Sequence, residues 1–351
     1  MTLIEGRVGG TSVYANALLR ALAERDDVKV EVISAPAGGA FNTIKWMVSG
    51  ARARVRQTGA VVLHCPAFLA PLDATVPTVL TVHDLSLGRM PSGHPLEWRM
   101  YYRLLLPHLV RKARAIITPT EATRKDVIAA FGLPPEHVVA TPPGVDRRFF
   151  GLSQRARSAE AREPVIVFPG PPIGRKNLEI VLRALSRAPA GSALSTARLE
   201  ITGASKADFP RYDRWISDNG LQTRVTWLGA LSFEDLPNVY AQADVLAYPS
   251  FMEGFGFPPL EAMATGTPVV ASNTSCLPEV LGDAALLVEP TDDAAFAAAV
   301  ESLLREPELR RRLSIQGAAR AATFTWERCA EMTVEVYRDV AGASMRSSKT
   351  A

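Results

Sequence analysis

The chain has 351 residues, of which 47% are hydrophobic and 21% are charged. This composition excludes a largely disordered chain, and the length suits two domains of ordinary size. The formal net charge of +3 is too small to indicate a nucleic-acid-binding protein.

No apolar stretch approaches the roughly 20 residues that a membrane-spanning helix needs, and the N-terminus lacks the pattern of a signal peptide. We therefore expect a cytoplasmic protein. Residues 1–150 hold 18 Lys and Arg against 12 Asp and Glu, while the rest holds 21 against 24. A basic first half suits a lipid-phosphate acceptor or peripheral contact with the inner face of a membrane. Its basic clusters at 52–56 and 111–114 are more often only solvated helix faces.

The first 150 residues alternate between strand and helix patterns. Residues 28–34 alternate like a half-buried strand, and three apolar runs are typical of buried strands: 60–64, 78–82 and 115–118. Apolar residues at helical spacing cover 14–24, 97–111 and 121–131, the last preceded by Thr120 as an N-cap. Residues 138–145 resemble a closing strand and exit. The alternation predicts a parallel sheet covered on both faces, in a domain spanning residues 1–150.

A second series follows residues 151–163, which lack strand signals and are predicted to be a linker. Six strands are predicted at 165–168, 197–202, 224–228, 244–248, 268–271 and 285–288, with later helices at 293–305 and 307–322. We expect a second α/β domain over residues 164–325, a C-terminal helix over 326–343 and a disordered tail over 344–351. Ligands of open α/β sheets bind beyond the carboxyl ends of the strands, so residues that follow strands are candidates for function.

The most informative stretch is residues 248–273, where a strand leads into a glycine-rich turn, a short helix and an apolar strand. Gly254 and Gly256 let the turn approach a ligand closely. Pro258 and Pro259 suit the first turn of a helix, whose free amides and positive dipole end favour an anion or a sugar hydroxyl.

Two glutamates belong to the same stretch. Glu253 lies in the turn and Glu261 one helical turn further, so they can accept hydroxyls from different parts of a nucleotide sugar. Taken singly, Glu253 is better explained as a solvated loop charge and Glu261 as a favourable charge at a helix start. Together with the glycines and prolines, they make a more specific pattern than a lone glycine motif.

Further polar residues follow other predicted strands. Arg175 and Lys176 come between a strand and a helix, where two cations can stabilise a departing diphosphate. The alternative, an ordinary basic helix start, is disfavoured by the helix dipole. His83 and Asp84 end the strand at 78–82 and are expected to face a cleft; a core histidine bonded to Asp84 is a serious alternative. His64 is expected to be structural or to line the acceptor site.

With these residues the chain resembles the retaining glycosyltransferases of the GT-B fold, sequence family 4, whose Glu-x7-Glu motif Glu253 and Glu261 match. The resemblance covers nearly the whole chain. The segments that begin at His83 and at Arg175 look like those of the mannosyltransferase-type subgroup. The resemblance implies two Rossmann-like parallel-sheet domains facing across a cleft, with the last helix crossing back to the first domain.

The resemblance also implies roles for residues. Glu253, His83, Arg175 and Lys176 would be catalytic, and donor-binding residues would come from both domains: Gly254, Phe255, Gly256, Phe257, Glu261, Gly9 and Gly10. Many relatives carry a further arginine after the glycine that ends the first strand of the second domain. Here that position is Pro171, so the separate roles of Arg175 and Lys176 stay open.

The start of the chain departs from the family pattern. Only residues 1–5 precede the glycine-rich segment at 6–11, where Gly9 and Gly10 introduce a helix that Thr11 or Ser12 can cap. A typical strand has about five or six residues, and chain ends fray. We therefore expect Met1 to be an internal start, with an apolar, β-branched segment encoded upstream.

No metal site is expected, because the paired aspartates at 26–27 and 292–293 precede a strand and start a helix, respectively. The three cysteines, Cys65, Cys276 and Cys329, lack metal or disulfide spacing and are expected to be buried. The function predicted from the resemblance is retaining transfer of a hexose, mannose from GDP-mannose, to a hydroxyl of a glycan or lipid-linked acceptor, with no cofactor. The alternatives are a nucleotide-sugar epimerase of the same fold and a non-catalytic nucleotide-sugar-binding protein.

Overall fold

The computed structural model of the chain describes residues 2–4, 10–35, 45–46, 51–72, 74–89, 96–152 and 162–349. These residues form two compact units. Unit 1 comprises Met1–Gly144 together with Phe324–Ala351, and unit 2 comprises Val145–Thr323. Most of the predicted linker at 151–163, and Gly9, lie outside the described residues.

Unit 1 contains two parallel sheets. The strands are β1 (Thr2–Ile4), β2 (Ile33–Ala35), β3 (Leu63–Cys65), β4 (Thr78–Thr81), β5 (Ala115–Thr118) and β6 (Val138–Ala140). The first two pair with each other, and the other four form one sheet in the order β3-β4-β5-β6. Of the strand predicted at 28–34, only Ile33 and Ser34 belong to β2, because the preceding residues are mostly solvent-exposed and lack a strand partner among the described residues.

Helices cover this sheet. In the described part of unit 1 they are α1 (Gly10–Ala23), α2 (Ala51–Thr58), α3 (Ser86–Arg89), α4 (Leu96–Leu104), α5 (Leu106–Lys112), α6 (Glu121–Phe131) and α15 (Trp326–Lys349). Thr120 caps α6 as predicted, since its side chain accepts a hydrogen bond from the Thr123 amide. The helix predicted over 97–111 is two helices, because Pro107 lies in the first turn of a new helix and cannot continue the preceding one.

The C-terminal helix α15 belongs to unit 1. Val336 and Val340 pack with Val79 and Ile117 in one buried cluster. The helix continues to Lys349, beyond the predicted end at Ala343, and the sequence after Gly342 contains no glycine or proline to end it. The prediction of a disordered tail from residue 344 was therefore wrong as far as Lys349.

Unit 2 is a doubly wound α/β unit with a six-stranded parallel sheet. Its strands are β7 (Val165–Phe168), β8 (Arg198–Thr202), β9 (Val225–Gly229), β10 (Val245–Tyr248), β11 (Val269–Ser272) and β12 (Leu286–Val288), in the order β12-β11-β10-β7-β8-β9. The predicted strands are all present within one or two residues. Buried apolar side chains from strands and helices form a large core cluster that includes Ile166, Leu199 and Val245.

Eight α-helices connect the strands in the described part of unit 2. They are α7 (Leu178–Ser186), α8 (Ala193–Thr196), α9 (Pro210–Asp218), α10 (Leu236–Gln242), α11 (Phe257–Ala264), α12 (Leu277–Leu281), α13 (Asp293–Arg305) and α14 (Pro307–Ala322). The last two match the sequence prediction at both ends. Short 3-10 turns at Arg147–Phe149 and Gly174–Lys176 also contribute residues to the site described below.

Candidate functional site

The strand order of unit 2 creates a switch point between β7 and β10. These two strands are hydrogen-bonded neighbours at the centre of the sheet, yet the chain leaves β7 towards β8 on one side and β10 towards β11 on the other. The connections diverge there, and open α/β sheets bind ligands beyond the carboxyl ends of the strands at such a point. Arg175 and Lys176 follow β7, and Glu253 follows β10.

The turn after β7 requires a glycine. Gly170 has a φ of +79°, and a Cβ there would lie 2.4 Å from Lys176 Nζ. Its amide donates to Thr202 Oγ1 at 2.9 Å. Because Gly170 has no side chain, the Lys176 ammonium can occupy the space beside it. The positive φ of Gly170 is also a conformation that other residues rarely adopt.

Asn177 joins the β7 turn to the neighbouring loops. Its φ of +57° ends the 3-10 turn and begins α7. The buried Nδ2 group donates to Pro249 O at 3.2 Å and to Pro290 O at 2.7 Å. The loops after β7, β10 and β12 are therefore held together by one amide side chain, a role that the sequence analysis did not identify.

Arg175 binds the loop that carries Glu253. Its Nη1 atom donates to Met252 O at 2.8 Å and lies 2.5 Å from Glu253 Oε1, while its carbonyl accepts from the Phe251 amide at 2.8 Å. The Glu253 side chain is only 8% exposed. Glu253 is therefore a buried, paired carboxylate, and the alternative of a solvated loop charge was wrong.

The Glu253 loop is fixed from a third side by Ser275. The serine hydroxyl donates to Glu253 O at 2.6 Å and accepts from the Glu253 amide at 3.3 Å. Below the loop, burial and then the nearby charge of Glu253 raise the pKa of Tyr248 well above its ordinary value. Tyr248 is accordingly a neutral phenol beside the carboxylate at physiological pH.

Lys176 is a buried cation with low proton affinity. Its Nζ atom donates to Pro169 O at 2.8 Å and lies 5.9 Å from the centre of the Tyr248 ring. Burial lowers its pKa from 10.5 to about 8, against the opposing effects of Glu253 and Glu261. At pH 7 it is still protonated, and only one of its three donors is needed for Pro169.

Helix α11 begins differently from the expectation. Gly256 precedes it with a φ of +92°, and no side chain caps it. Pro258 and Pro259 occupy the first turn as predicted, but proline has no N–H, so two of the four amides expected at a helix start are absent. The positive end of the dipole persists, whereas the set of amide donors is smaller than the sequence analysis assumed. Beside this start, the Phe255 and Phe257 rings pack edge to face at 5.0 Å.

Glu261 lies buried on α11. Burial, and then the negative charge of Asp146, raise its pKa from 4.5 to about 8, while Lys176 acts in the opposite direction. It is 6% exposed and therefore not a solvated charge at a helix start. The sequence analysis did not identify Asp146 as a site residue, because it assigned this residue to the first domain. The feature that could have identified it is the turn after Gly144, where the Asp146 side chain accepts a hydrogen bond from the Arg148 amide at 3.0 Å.

His83 lies in unit 1, after β4. Its Nε2 is 2.8 Å from Pro66 O, so it carries the proton and donates, which leaves Nδ1 as an acceptor. The Tyr14 ring contacts the imidazole edge to face at 4.8 Å, and burial lowers the pKa of His83. Asp84 instead accepts from the Ser86 amide, so the alternative of a histidine bonded to Asp84 was wrong.

The other residues singled out in unit 1 have simpler surroundings. His64 is buried between Tyr337 and Thr81, at 2.5 and 2.8 Å, which makes it structural. Gly10 is the first residue of α1, so Thr11 and Ser12 lie inside the helix, and the prediction that one of them caps it was wrong. All three cysteines are buried, as predicted.

Two general properties complete the description. Within the described residues, no three His, Cys, Asp or Glu side chains are grouped so that they could hold a metal ion. In the same part of the chain, none of the helices combines the length and the apolar character needed to cross a membrane.

Comparison with known families covers most of the chain. The model described as "Glycosyl transferases group 1" matches residues 152–320, and the one described as "Glycosyltransferase Family 4" matches residues 8–149.

Two curated relatives are mannosyltransferases. The O-antigen chain mannosyltransferase B of Escherichia coli is 31% identical over 291 residues, which are 79% of this chain and 74% of the relative. The MMP alpha-(1->4)-mannosyltransferase of Mycolicibacterium hassiacum is 32% identical over 274 residues, which are 74% of this chain and 65% of that protein.

Solved structures share the fold at lower identity. Sucrose-phosphate synthase from Thermosynechococcus elongatus has a TM-score of 0.78 at 22% identity and covers 97% of this chain and 99% of its own. HepE from Anabaena, solved with UDP and glucose, has a TM-score of 0.73 at 20% identity, with 96% and 98% covered.

Proposed function

The chain belongs to family 4 of the glycosyltransferases and has their GT-B fold, and we propose on this basis that it transfers a hexose from a nucleotide-diphosphate sugar to an acceptor hydroxyl. The observation that carries the proposal is the convergence of Arg175, Lys176 and Glu253 at the switch point of unit 2. Glu261 lies within electrostatic range of the same lysine.

The proposed donor site follows from these charges. The diphosphate takes the two remaining donors of Lys176 and the guanidinium of Arg175, because these neighbouring cations have Glu253 as a paired carboxylate, while the raised pKa of Glu261 keeps that group largely neutral at pH 7. Glu261 accepts the ribose hydroxyls, and Glu253 accepts hydroxyls of the transferred sugar. Gly254, Phe255, Gly256 and Phe257 form the loop that covers this end of the donor.

The proposed reaction retains the configuration of the sugar. The acceptor oxygen attacks the anomeric carbon on the face that the diphosphate leaves, and a phosphate oxygen of the leaving group takes the acceptor proton. Arg175 and Lys176 stabilise the charge that develops on the diphosphate, and Glu253 stabilises the positive charge that develops on the sugar ring. Loss of one such preorganised group costs on the order of 10² to 10³ in rate.

His83 is the proposed catalytic residue of unit 1. The hydrogen bond to Pro66 O and the lowered pKa hold the imidazole neutral, with Nδ1 free of a proton. A neutral imidazole can accept a hydrogen bond from a sugar or acceptor hydroxyl without adding charge. Gly9 and Gly10 are proposed to contribute backbone contacts from the start of α1.

We propose GDP-mannose as the donor and a glycan or lipid-linked hydroxyl as the acceptor, because the two relatives described above are mannosyltransferases. Because HepE binds UDP, a uridine-diphosphate sugar is the alternative donor to compare with GDP-mannose. The cations of Arg175 and Lys176 supply the charge that a divalent metal would otherwise supply, so the reaction is proposed to need neither metal nor cofactor.

The test is incubation of the purified protein with GDP-mannose, UDP-glucose or ADP-glucose in the presence of EDTA, followed by NMR. With an acceptor glycan, the proposal predicts GDP release and a new linkage of the donor's anomeric configuration. Conversion of the sugar without acceptor would indicate an epimerase, and binding without any conversion would indicate a nucleotide-sugar-binding protein. Activity that EDTA abolishes and Mg²⁺ restores would contradict metal independence.

A further inference from the structure

Tyr14 on helix α1 has a fully buried side chain beside the proposed catalytic histidine. It is 0% exposed, and its ring centre lies 4.8 Å from that of His83, with the two ring planes at 81° to each other. The same ring lies 5.9 Å from the indole of Trp326, the first residue of α15. Tyr14 therefore contacts both the histidine and the start of the C-terminal helix.

The hydroxyl of Tyr14 lies in a polar part of the core. Its neighbours there are the side chains of Thr81 on β4 and Thr141 after β6, and burial raises the pKa of the phenol well above its ordinary value. Thr81 is in turn hydrogen-bonded to His64 Nε2 at 2.8 Å. The phenol is thus neutral, and its hydroxyl has neighbours of its own, apart from the ring contact with His83.

The imidazole of His83 needs more than one contact to be fixed. Its Nε2 atom donates to Pro66 O at 2.8 Å, but the torsion that turns a histidine ring has broad wells, so one hydrogen bond leaves the plane free to tilt. The Tyr14 ring, packed almost at a right angle, restricts this tilt. Part of the His83 surface stays exposed, so the contact orients the imidazole without covering it completely.

We propose that Tyr14 is a positioning residue for the transfer reaction, whose ring holds the imidazole plane of His83 so that Nδ1 can accept a hydrogen bond from a substrate hydroxyl. This step rests on the proposed function, in which His83 is the catalytic residue of unit 1. Because the Tyr14 side chain has no exposed surface, it acts through His83 rather than by touching a substrate. The ring carries this role and the hydroxyl does not, since the ring is the part that contacts the imidazole.

Tyr101 provides a comparison for a tyrosine that only fills the core. It is 4% exposed in the same unit, and its ring packs with Phe68 and Trp98. Its hydroxyl donates to Phe68 O at 2.6 Å. Replacing Tyr14 or Tyr101 by methionine removes a buried aromatic ring from unit 1 and leaves an unbranched apolar side chain that adapts to the space. Tyr101→Met is therefore the matched control for Tyr14→Met.

Steady-state kinetics with GDP-mannose and an acceptor measure the effect on the reaction. Tyr14→Met should lower kcat by about tenfold, the loss that corresponds to a strong aromatic contact, and leave the KM for the donor unchanged, because most of the proposed donor residues lie in unit 2. Tyr14→Phe keeps the ring without the hydroxyl, so its kcat should be close to that of wild type. Tyr101→Met should also have the wild-type kcat, even where its melting temperature falls as far as that of Tyr14→Met.

NMR of protein with isotope-labelled histidine observes the imidazole without any substrate. In wild type, His83 should be a single tautomer protonated at Nε2, with its pKa lowered by burial. In Tyr14→Met the Nδ1-protonated tautomer should appear, and the pKa of His83 should rise towards its ordinary value as water reaches the ring. Among the described residues, the other titratable groups beside His83 are Asp84 and His64, which are unchanged in these variants, so the shift reports the loss of the Tyr14 ring.

His83→Gln separates this proposal from the proposed function. If His83→Gln loses activity while folded Tyr14→Met keeps the wild-type kcat and histidine spectrum, the positioning role is overturned and the catalytic role of His83 stands. Wild-type kcat in His83→Gln overturns both. An equal loss of kcat in Tyr101→Met, or a mixture of His83 tautomers in wild type, also overturns the positioning role, and the last result needs no variant that folds.

Discussion

Lys176 and Glu261 have pKa values brought to about 8 from opposite directions, both chiefly by burial. The sequence identified both residues but not their ionisation, which depends on how deeply the loop and helix are packed. Asp146, which adds to the shift of Glu261, comes from a turn that the sequence analysis assigned to the other domain. The site residues could therefore be predicted from the sequence, whereas their pKa values depend on contacts between segments that are distant in the sequence.

The raised pKa of Glu261 predicts that donor binding depends on pH. A carboxylate that accepts two ribose hydroxyls must be ionised, so below pH 8 binding has to displace a proton. Affinity for GDP-mannose should fall by on the order of tenfold as pH decreases from 7 to 6, and by less between pH 8 and 7. Lys176, whose pKa is also about 8, is mostly protonated at pH 6 and 7, so its titration opposes this slope only towards pH 8.

Calorimetry at pH 6, 7 and 8 in buffers of different ionisation enthalpy measures this linkage. Wild type should release close to one proton per donor bound at pH 7. Glu261→Gln has no ionisable group at this position, so it should bind more weakly with a nearly flat profile. The same slope and proton release in both proteins would assign the linkage to another group.

The two glutamates should affect different kinetic constants. Glu261→Ala should mainly weaken nucleotide binding, and Glu253→Gln should mainly lower turnover, because Glu261 is proposed to bind the ribose and Glu253 the transferring sugar. Gln is chosen at position 253 to preserve the shape of the buried side chain beside Arg175. The measurements are steady-state kinetics and GDP affinity of both variants. An equal loss of GDP affinity in the two variants would contradict the assignment.

At the scale of elements, the strands and the last two helices of unit 2 could be predicted because apolar runs and glycine or proline breaks coincide there. Strand β5 and helices α13 and α14 agree with the prediction at both ends. The pattern at 28–34 failed, since alternation shows only that a segment can form a strand, and pairing needs a partner. The smaller number of backbone N–H donors at the start of α11 could have been predicted from Pro258 and Pro259 alone.

The contact between Gly144 and the start of α15 leads to a prediction about stability. A Cβ on Gly144 would lie 2.2 Å from the Trp326 amide nitrogen, and the next nearest atoms are also backbone. Gly144→Ala should therefore displace the helix start and lower the melting temperature of unit 1, at a cost of about 1–3 kcal/mol.

Differential scanning calorimetry checks the effect, with Gly59→Ala as comparison. Gly59 is in the same unit and has open space around its Cβ, but its φ is +64°, so that variant reports the cost of backbone strain alone. Donor affinity should be unchanged in both, since the donor-site residues of unit 2 are not altered. A melting temperature equal to that of wild type in Gly144→Ala would show that the contact adjusts freely.

For the whole molecule, each unit has its own buried core, and the chain enters unit 2 at Val145 and leaves it at Thr323. The sequence predicted two α/β domains, but placed the boundary at residue 150, because the exit strand looked continuous with the following turn. The C-terminal helix was assigned to the first domain by family resemblance alone; its packing on Val79 and Ile117 provides the physical reason.

This division predicts that Val145–Thr323 folds alone. It contains its complete sheet and core and the residues Arg175, Lys176, Glu253 and Glu261, so it should unfold cooperatively and bind GDP-mannose. It should not transfer, because His83 and the rest of unit 1, which is proposed to bind the acceptor, are missing. Circular dichroism and calorimetry of the shortened chain are the measurements; an unfolded chain, or a folded one without donor affinity, would contradict the assignment of the donor site to unit 2.

The central claim is that the buried cation at the switch point stabilises a departing diphosphate. The most direct measurement is the single-turnover rate of GDP-mannose-dependent transfer, in EDTA, for Lys176→Ala beside Lys206→Ala, an exposed lysine of the same unit. The account predicts that Lys176→Ala is slower by on the order of 10² to 10³ while Lys206→Ala equals wild type. A rate for folded Lys176→Ala similar to that of Lys206→Ala would contradict it.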